Sequence, residues 1–182
     1  MSILNQRPAP SEHAPYASTY LDATEAALAA AGTTDLLVLL EHQRAAWPAL
    51  LAHRDATIVT HAYAPGKWTL GESLVHVADT ERVFAYRALR VARGDRTPLP
   101  GFDQDAWVPE SRADRRTMGD LLEELDAVRV ATLALVRSLD EVALMQIGTA
   151  SNNPVSCRAL LWMIAGHAAH HLTLTEARYL TP

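Results

Sequence analysis

Thr69-Leu70-Gly71-Glu72-Ser73-Leu74-Val75-His76-Val77-Ala78-Asp79 opens the clearest helix of the chain. A hydroxyl at the cap and a carboxylate three residues on make a capping box, in which each side chain satisfies a backbone N–H that the first turn leaves free. Pro65-Gly66 supplies the turn before it. Leu70, Leu74, Val77, Phe84, Ala88 and Val91 then recur on one side and form a core-facing stripe. The helix is predicted to stop near Gly94, so it needs partners for a long apolar face.

Those partners lie on both sides. Upstream, Thr34 or Asp35 can cap a first long helix running to about Arg54, with Leu36, Leu37, Leu39, Leu40, Trp47, Leu50 and Leu51 on its apolar side. Pro48 lacks a backbone donor and is expected to kink or split it. An alanine-rich stretch from Thr19 to Ala31, ending at Gly32, predicts a short helix. Downstream, Thr117 and Asp120 open a third long helix with Met118, Leu122, Leu125, Thr132, Val136 and Leu139 as its stripe. Ser156 caps a fourth that reaches Tyr179, after a loop from Gly148 to Pro154. No strand-like alternation of useful length is evident. The expectation is an all-α four-helix bundle, with residues 1–16, carrying Pro8, Pro10 and Pro15, as a flexible N-terminal arm and 17–182 as one domain.

The connection from Asp95 to about Arg116 is long for a compact domain and marks a candidate lid or interface element. Phe102 and Trp107 are expected to pin it by burial.

Composition narrows the function. A net charge of −5 argues against a nucleic-acid surface. A single cysteine, Cys157, rules out an intramolecular disulfide framework and points to a reducing compartment. Neither a signal-peptide core nor an apolar run of membrane-spanning length is present. A cytoplasmic protein with no membrane partner is expected. Of the 16 basic residues all but Lys67 are arginines, scattered along the chain.

The chemistry-bearing segment is Leu160-Leu161-Trp162-Met163-Ile164-Ala165-Gly166-His167-Ala168-Ala169-His170-His171-Leu172-Thr173-Leu174. His167 and His171 share the stripe of Leu160, Ile164 and Leu174, one turn apart, and their Cβ atoms are expected about 6 Å from each other. Two buried imidazoles need polar partners, and a divalent cation supplies both at once; hydrogen bonds to each other, to water or to a carboxylate are the alternative. His170 points about 100° away and reads as a flanking group. A third ligand must come from elsewhere. His42, His53, His61 and His76 are the candidates; His61 and His13 are weak, and spacing does not select among the rest. Glu81 and Arg129 fall on the apolar stripes of their helices, where they are expected to pair. Asp79, one turn beyond His76, could orient that imidazole or simply face solvent. His167 is followed by Ala168, so the glutamate of a metallopeptidase helix is missing. Cys157 lies about 15 Å along the helix from His167 and reads as a packing residue.

The run Tyr63-Ala64-Pro65-Gly66-Lys67-Trp68-Thr69-Leu70-Gly71-Glu72-Ser73-Leu74-Val75-His76 resembles the opening of the metal-binding region in the DinB/YfiT-like family. Asp79-Thr80-Glu81-Arg82, Ala85 to Asp95, Pro98 to Asp103 and Ala165 to Leu172 match in the same order, over about residues 16 to 181. The resemblance implies a four-helix bundle with a divalent metal, zinc or nickel, held by His76, His167 and His171. It also implies a small-molecule substrate and a homodimer. Its members are described as metal-dependent hydrolases, and some resemble thiol S-transferases that use a low-molecular-weight thiol of the bacillithiol or mycothiol type. A metal-binding stress-response or scaffold protein without catalysis is the alternative.

Overall fold

A computed structural model describes residues 2–181. In chain order it contains α1 (Ser18–Ala30), α2 (Leu36–Leu51), α3 (Leu70–Ala92), α4 (Gln104–Glu110), α5 (Met118–Arg137), the single turn α6 (Glu141–Leu144), β1 (Ile147–Ala150), β2 (Asn153–Ser156) and α7 (Cys157–Leu174). A widened turn, Thr175–Tyr179, extends α7. The bundle is made by α2, α3, α5 and α7. Helix α3 packs on α5 and α7, and α2 packs on the same two, so α2 and α3 face each other across a diagonal. Of the consecutive long helices, α2 and α3 are therefore not neighbours, whereas α3 and α5, joined by the 95–116 connection, pack directly on each other. Helix α1 lies along the outside of α7.

The caps fall where their chemistry requires. Asp35 accepts from the N–H groups of Leu37 and Val38, and the capping boxes of Thr69 with Glu72 and of Thr117 with Asp120 both close. Leu70, Leu74, Val77, Phe84, Ala88 and Val91 are all buried, as the stripe requires. On α5 the buried positions are Met118, Leu121, Leu125, Val128, Arg129, Thr132, Leu133 and Val136; Leu122 and Leu139 lie at the margin.

A polar chain crosses the core and ties all four bundle helices. The Arg129 guanidinium donates to both Glu81 carboxylate oxygens at 2.8 Å, and to the Leu40 carbonyl and Gln43 Oε1 at 3.0 Å. Gln43 in turn donates to the Ala165 carbonyl at 2.8 Å. The expected pairing of Glu81 with Arg129 is thus present, and both charges are paired and hydrogen-bonded, which is what makes their burial tolerable.

Several expectations are corrected. Residues 2–17 are not a loose arm: they form three short 3-10 turns laid on the body. Arg158 donates to Glu12 and to the Ile3 and Gln6 carbonyls, and Trp162 Nε1 donates to the Leu4 carbonyl at 2.7 Å. Buried donors on α7 hold this polar segment, a cause invisible in its composition. Helix α2 continues through Pro48 without a break and ends one turn later. The segment read as a loop holds the hairpin β1–β2, paired Ile147 with Ser156 through Ala150 with Asn153. Gly148 and Pro154 weaken its signal, and the turn is made by Ser151 and Asn152 at φ of 51° and 62°, the left-handed pair a two-residue hairpin demands. The 95–116 connection is pinned by Leu99, Val108 and Ala113, while Trp107 is 45% exposed and Phe102, stacked on it, is half-buried. Leu99 also exchanges backbone hydrogen bonds with the hairpin at Thr149 and Ser151. No described helix is long and apolar enough to cross a membrane.

Candidate metal centre

Helices α3 and α7 pack on each other and bring His76, His167 and His171 together, all buried. One ring nitrogen from each lies within 4.8 Å of the others. The ring centroids stand 4.9 Å apart for His76 and His167, 4.6 Å for His167 and His171, and 5.2 Å for His76 and His171. His76 Nε2 and His167 Nε2 approach to 3.0 Å.

The outer nitrogens are engaged by hydroxyls. Ser73 Oγ is 3.1 Å from His171 Nδ1, and Thr80 Oγ1, one turn beyond His76, is a longer 3.4 Å from its Nδ1. If each Nδ1–H donates outward, the inner Nε2 atoms carry bare lone pairs pointed at one another, a repulsive arrangement that a shared cation relieves. A separation of 3.0 Å also suits two imidazole ligands that each stand about 2.0–2.1 Å from one ion. The residues present therefore fit a metal.

Burial keeps the rings neutral, which a metal ligand must be. It pushes His76 down to about 4, opposed in part by the Asp105 carboxylate, and His171 down to about 3. His167 is lowered well below the ordinary histidine value, first by burial and then by His171, His76 and His170. Trp68 covers His76 with ring centroids 4.9 Å apart, and Tyr20 of α1 meets His167 edge-on at 5.5 Å.

Tyr20 can come this close because of Gly166. A Cβ there would stand 1.8 Å from the Tyr20 carbonyl oxygen. A glycine inside a helix costs about 1 kcal/mol relative to alanine, and that unfavourable choice beside His167 is the sequence signal for the close approach of α1. The site opens into a cavity of about 330 Å³ whose lining includes Tyr20, Tyr63, Lys67, Trp68, Asp105 and Tyr179. Asp105 reaches it from α4, so the long connection does roof the site. No spacing rule could have marked Tyr20 or Asp105, which belong to other elements, or the contact of Ser73 with His171, which joins α3 to α7.

Other candidates are placed elsewhere. His170 is exposed on the cavity rim, beside His171. His42 and His53 are exposed, His61 lies against Tyr179 in a separate groove, and His13 is buried with its Nδ1 at the Ala14 carbonyl. Asp79 turns to Arg82 at 3.2 Å, leaving the orienting place on His76 to Thr80. Cys157 is buried in the core, and burial pushes its thiol up to about 12.

The DinB superfamily model matches residues 39–174, most of the chain and all of the region that carries the three histidines. The chain belongs to the DinB superfamily. A protein of Oceanobacillus iheyensis named as a putative metal-dependent hydrolase is 28% identical over 120 residues, covering 63% of this chain and 66% of that protein. This DinB chain thus matches just under two thirds of that relative's length. YfiT from Bacillus subtilis, described as a probable metal-dependent hydrolase with an unusual four-helix bundle topology, superposes with a TM-score of 0.69 at 16% identity, over 94% of this chain and 92% of that one. The likeness shows that the fold is shared.

Proposed function

We propose that this DinB chain holds a divalent metal ion through His76, His167 and His171 and uses it as a metal-dependent hydrolase of a small molecule. The observation that carries this reading is the convergence of three buried, neutral imidazoles from two helices, two of which, His76 and His171, line an open cavity. The names of its relatives support it. A divalent ion with three nitrogen ligands supplies Lewis-acid chemistry at its open positions, acidifying a water or a thiol that arrives there. Zinc and nickel both suit imidazole. Ser73 and Thr80 orient the rings, Trp68 and Tyr20 keep bulk water from two of them, and Asp105 is the carboxylate on the cavity wall that can accept a proton. Transfer of a bacillithiol- or mycothiol-type thiol would use the same opening. The thiol would come from outside, because Cys157 is buried and held protonated.

Metal content of tag-free protein, compared with His76→Ala, His167→Ala and His171→Ala, tests the site. Bound metal is expected in the parent and lost in each variant; undiminished metal in any one removes that residue from the set. Stripping the ion with a chelator should abolish hydrolysis of activated esters while helical circular dichroism persists. Unfolding on chelation would instead make the ion structural, and turnover only with an added thiol and electrophile would favour transfer.

A further inference from the structure

Among sixteen basic residues the one lysine, Lys67, lines the same cavity as His76 and His171. It occupies the turn between Gly66, whose φ of +72° is left-handed, and Trp68, whose ring covers His76. Its backbone N–H donates to the Ala64 carbonyl at 3.2 Å, which fixes where the side chain leaves the chain. The Lys67 ammonium makes no hydrogen bond or ion pair among the described residues, although most of the arginines around the molecule are paired with carboxylates. The wall shared by Lys67 and the histidines is aromatic, from Tyr63, Trp68 and Tyr179. Asp105 lines the same cavity from α4 and is likewise free of any ion pair. A cation at one place, a carboxylate at another and an aromatic wall within about 330 Å³ constitute a charge-selective small-molecule site.

We propose that the cavity takes a small organic monoanion with an aromatic or apolar body, its carboxylate seated on Lys67, its body along Trp68 and Tyr63, and its reactive end toward the histidines. Asp105 disfavours a second negative charge, so dianions bind less well. The placement of the reactive end rests on the hydrolase reading above; the contact with Lys67 does not.

The probes are benzoate, its neutral counterpart benzamide and the dianion phthalate. Their binding is measured by calorimetry to zinc-loaded and zinc-free protein, as wild type, Lys67→Gln and Lys67→Arg, with zinc content determined for each. Benzoate should bind more tightly than benzamide or phthalate. Lys67→Gln should weaken benzoate about tenfold, the scale of one charge-assisted hydrogen bond, in both zinc states, with benzamide affinity and zinc content unchanged. Lys67→Arg should restore much of the loss, and added salt should weaken benzoate but not benzamide. The proposal is overturned if Lys67→Gln leaves benzoate affinity intact, if benzoate binds only when zinc is present, or if wild type binds no benzoate at millimolar concentration. Failure to take up zinc would instead defeat the metal reading, and the Lys67 contrast would still be read in the zinc-free protein.

Discussion

Ser73 and Thr80 contact the nitrogens that His171 and His76 turn away from the cluster. A hydroxyl that accepts from Nδ1–H fixes both tautomer and ring orientation, so removing it should weaken the ion's hold while leaving the helices in place. Ser73→Ala is expected to lower metal affinity about 10–100-fold, measured by competition with a chromophoric chelator, with unchanged circular dichroism. The metal-free protein should also show a defined acid response. His76 and His171 fall from 6.5 to about 4 and about 3 on folding, so the unfolded chain takes up protons first as pH drops. Stability should decline below about pH 6.5 and stop declining on their account once the folded rings protonate, near 4 and 3; above 6.5 they contribute no slope. Urea midpoints at pH 7.5, 6.0 and 5.0 check this, and a flat series would show that the rings titrate as in the free chain. The pair His167 and His171 was legible from spacing, whereas spacing left His76 one of four candidates and only the family resemblance singled it out; the packing of α3 on α7 is what physically distinguishes it from His42 or His53.

Two glycines inside helices behave oppositely because of what lies beside them. Gly166 of α7 faces the α1 backbone, and a methyl group there meets the Tyr20 carbonyl oxygen at 1.8 Å, an atom that cannot swing away. Gly166→Ala is expected to destabilise by about 1–3 kcal/mol and to loosen the Tyr20 contact on His167. Gly119 in the first turn of α5 is exposed, with Thr117 Oγ1 at 3.6 Å as its nearest neighbour, so Gly119→Ala should stabilise by roughly 0.5–1 kcal/mol. Denaturant midpoints of the two variants, taken together, separate close packing from helix propensity. At this scale the caps and stripes of α2, α3, α5 and α7 were readable, because a side chain at Thr69 or Thr117 serves backbone within three residues. The hairpin was not, because its four-residue strands hold Gly148 and Pro154 and depend on Leu99 from another segment.

At the scale of the molecule, two buried ion pairs join segments far apart in the chain: Glu81 with Arg129 across the bundle, and Glu12 with Arg158 between the N-terminal segment and α7. Burial raises the Glu12 carboxyl, but hydrogen bonds from Arg158, the Ala9 N–H and Ser156 outweigh it and hold the group at about 2. Glu12→Gln leaves the Arg158 charge without its counterion in the interior. The expected loss is about 3–5 kcal/mol, visible as a lower thermal midpoint, with zinc uptake at the distant histidines retained. A midpoint within a degree of the parent would mean that this ion pair adds nothing to the stability of the fold.

Residues 1–182 determined by themselves that the chain is helical, where its long helices begin, and that one of them carries two imidazoles on its core face, because capping and periodicity act within a few residues. Only the tertiary structure decided that α2 and α3 lie across a diagonal, that the His76 ring meets those of His167 and His171, that α1 and α4 close the site, and that the N-terminal segment is held down. Each of these depends on contacts between residues distant in sequence, made by buried groups whose partners no local pattern names.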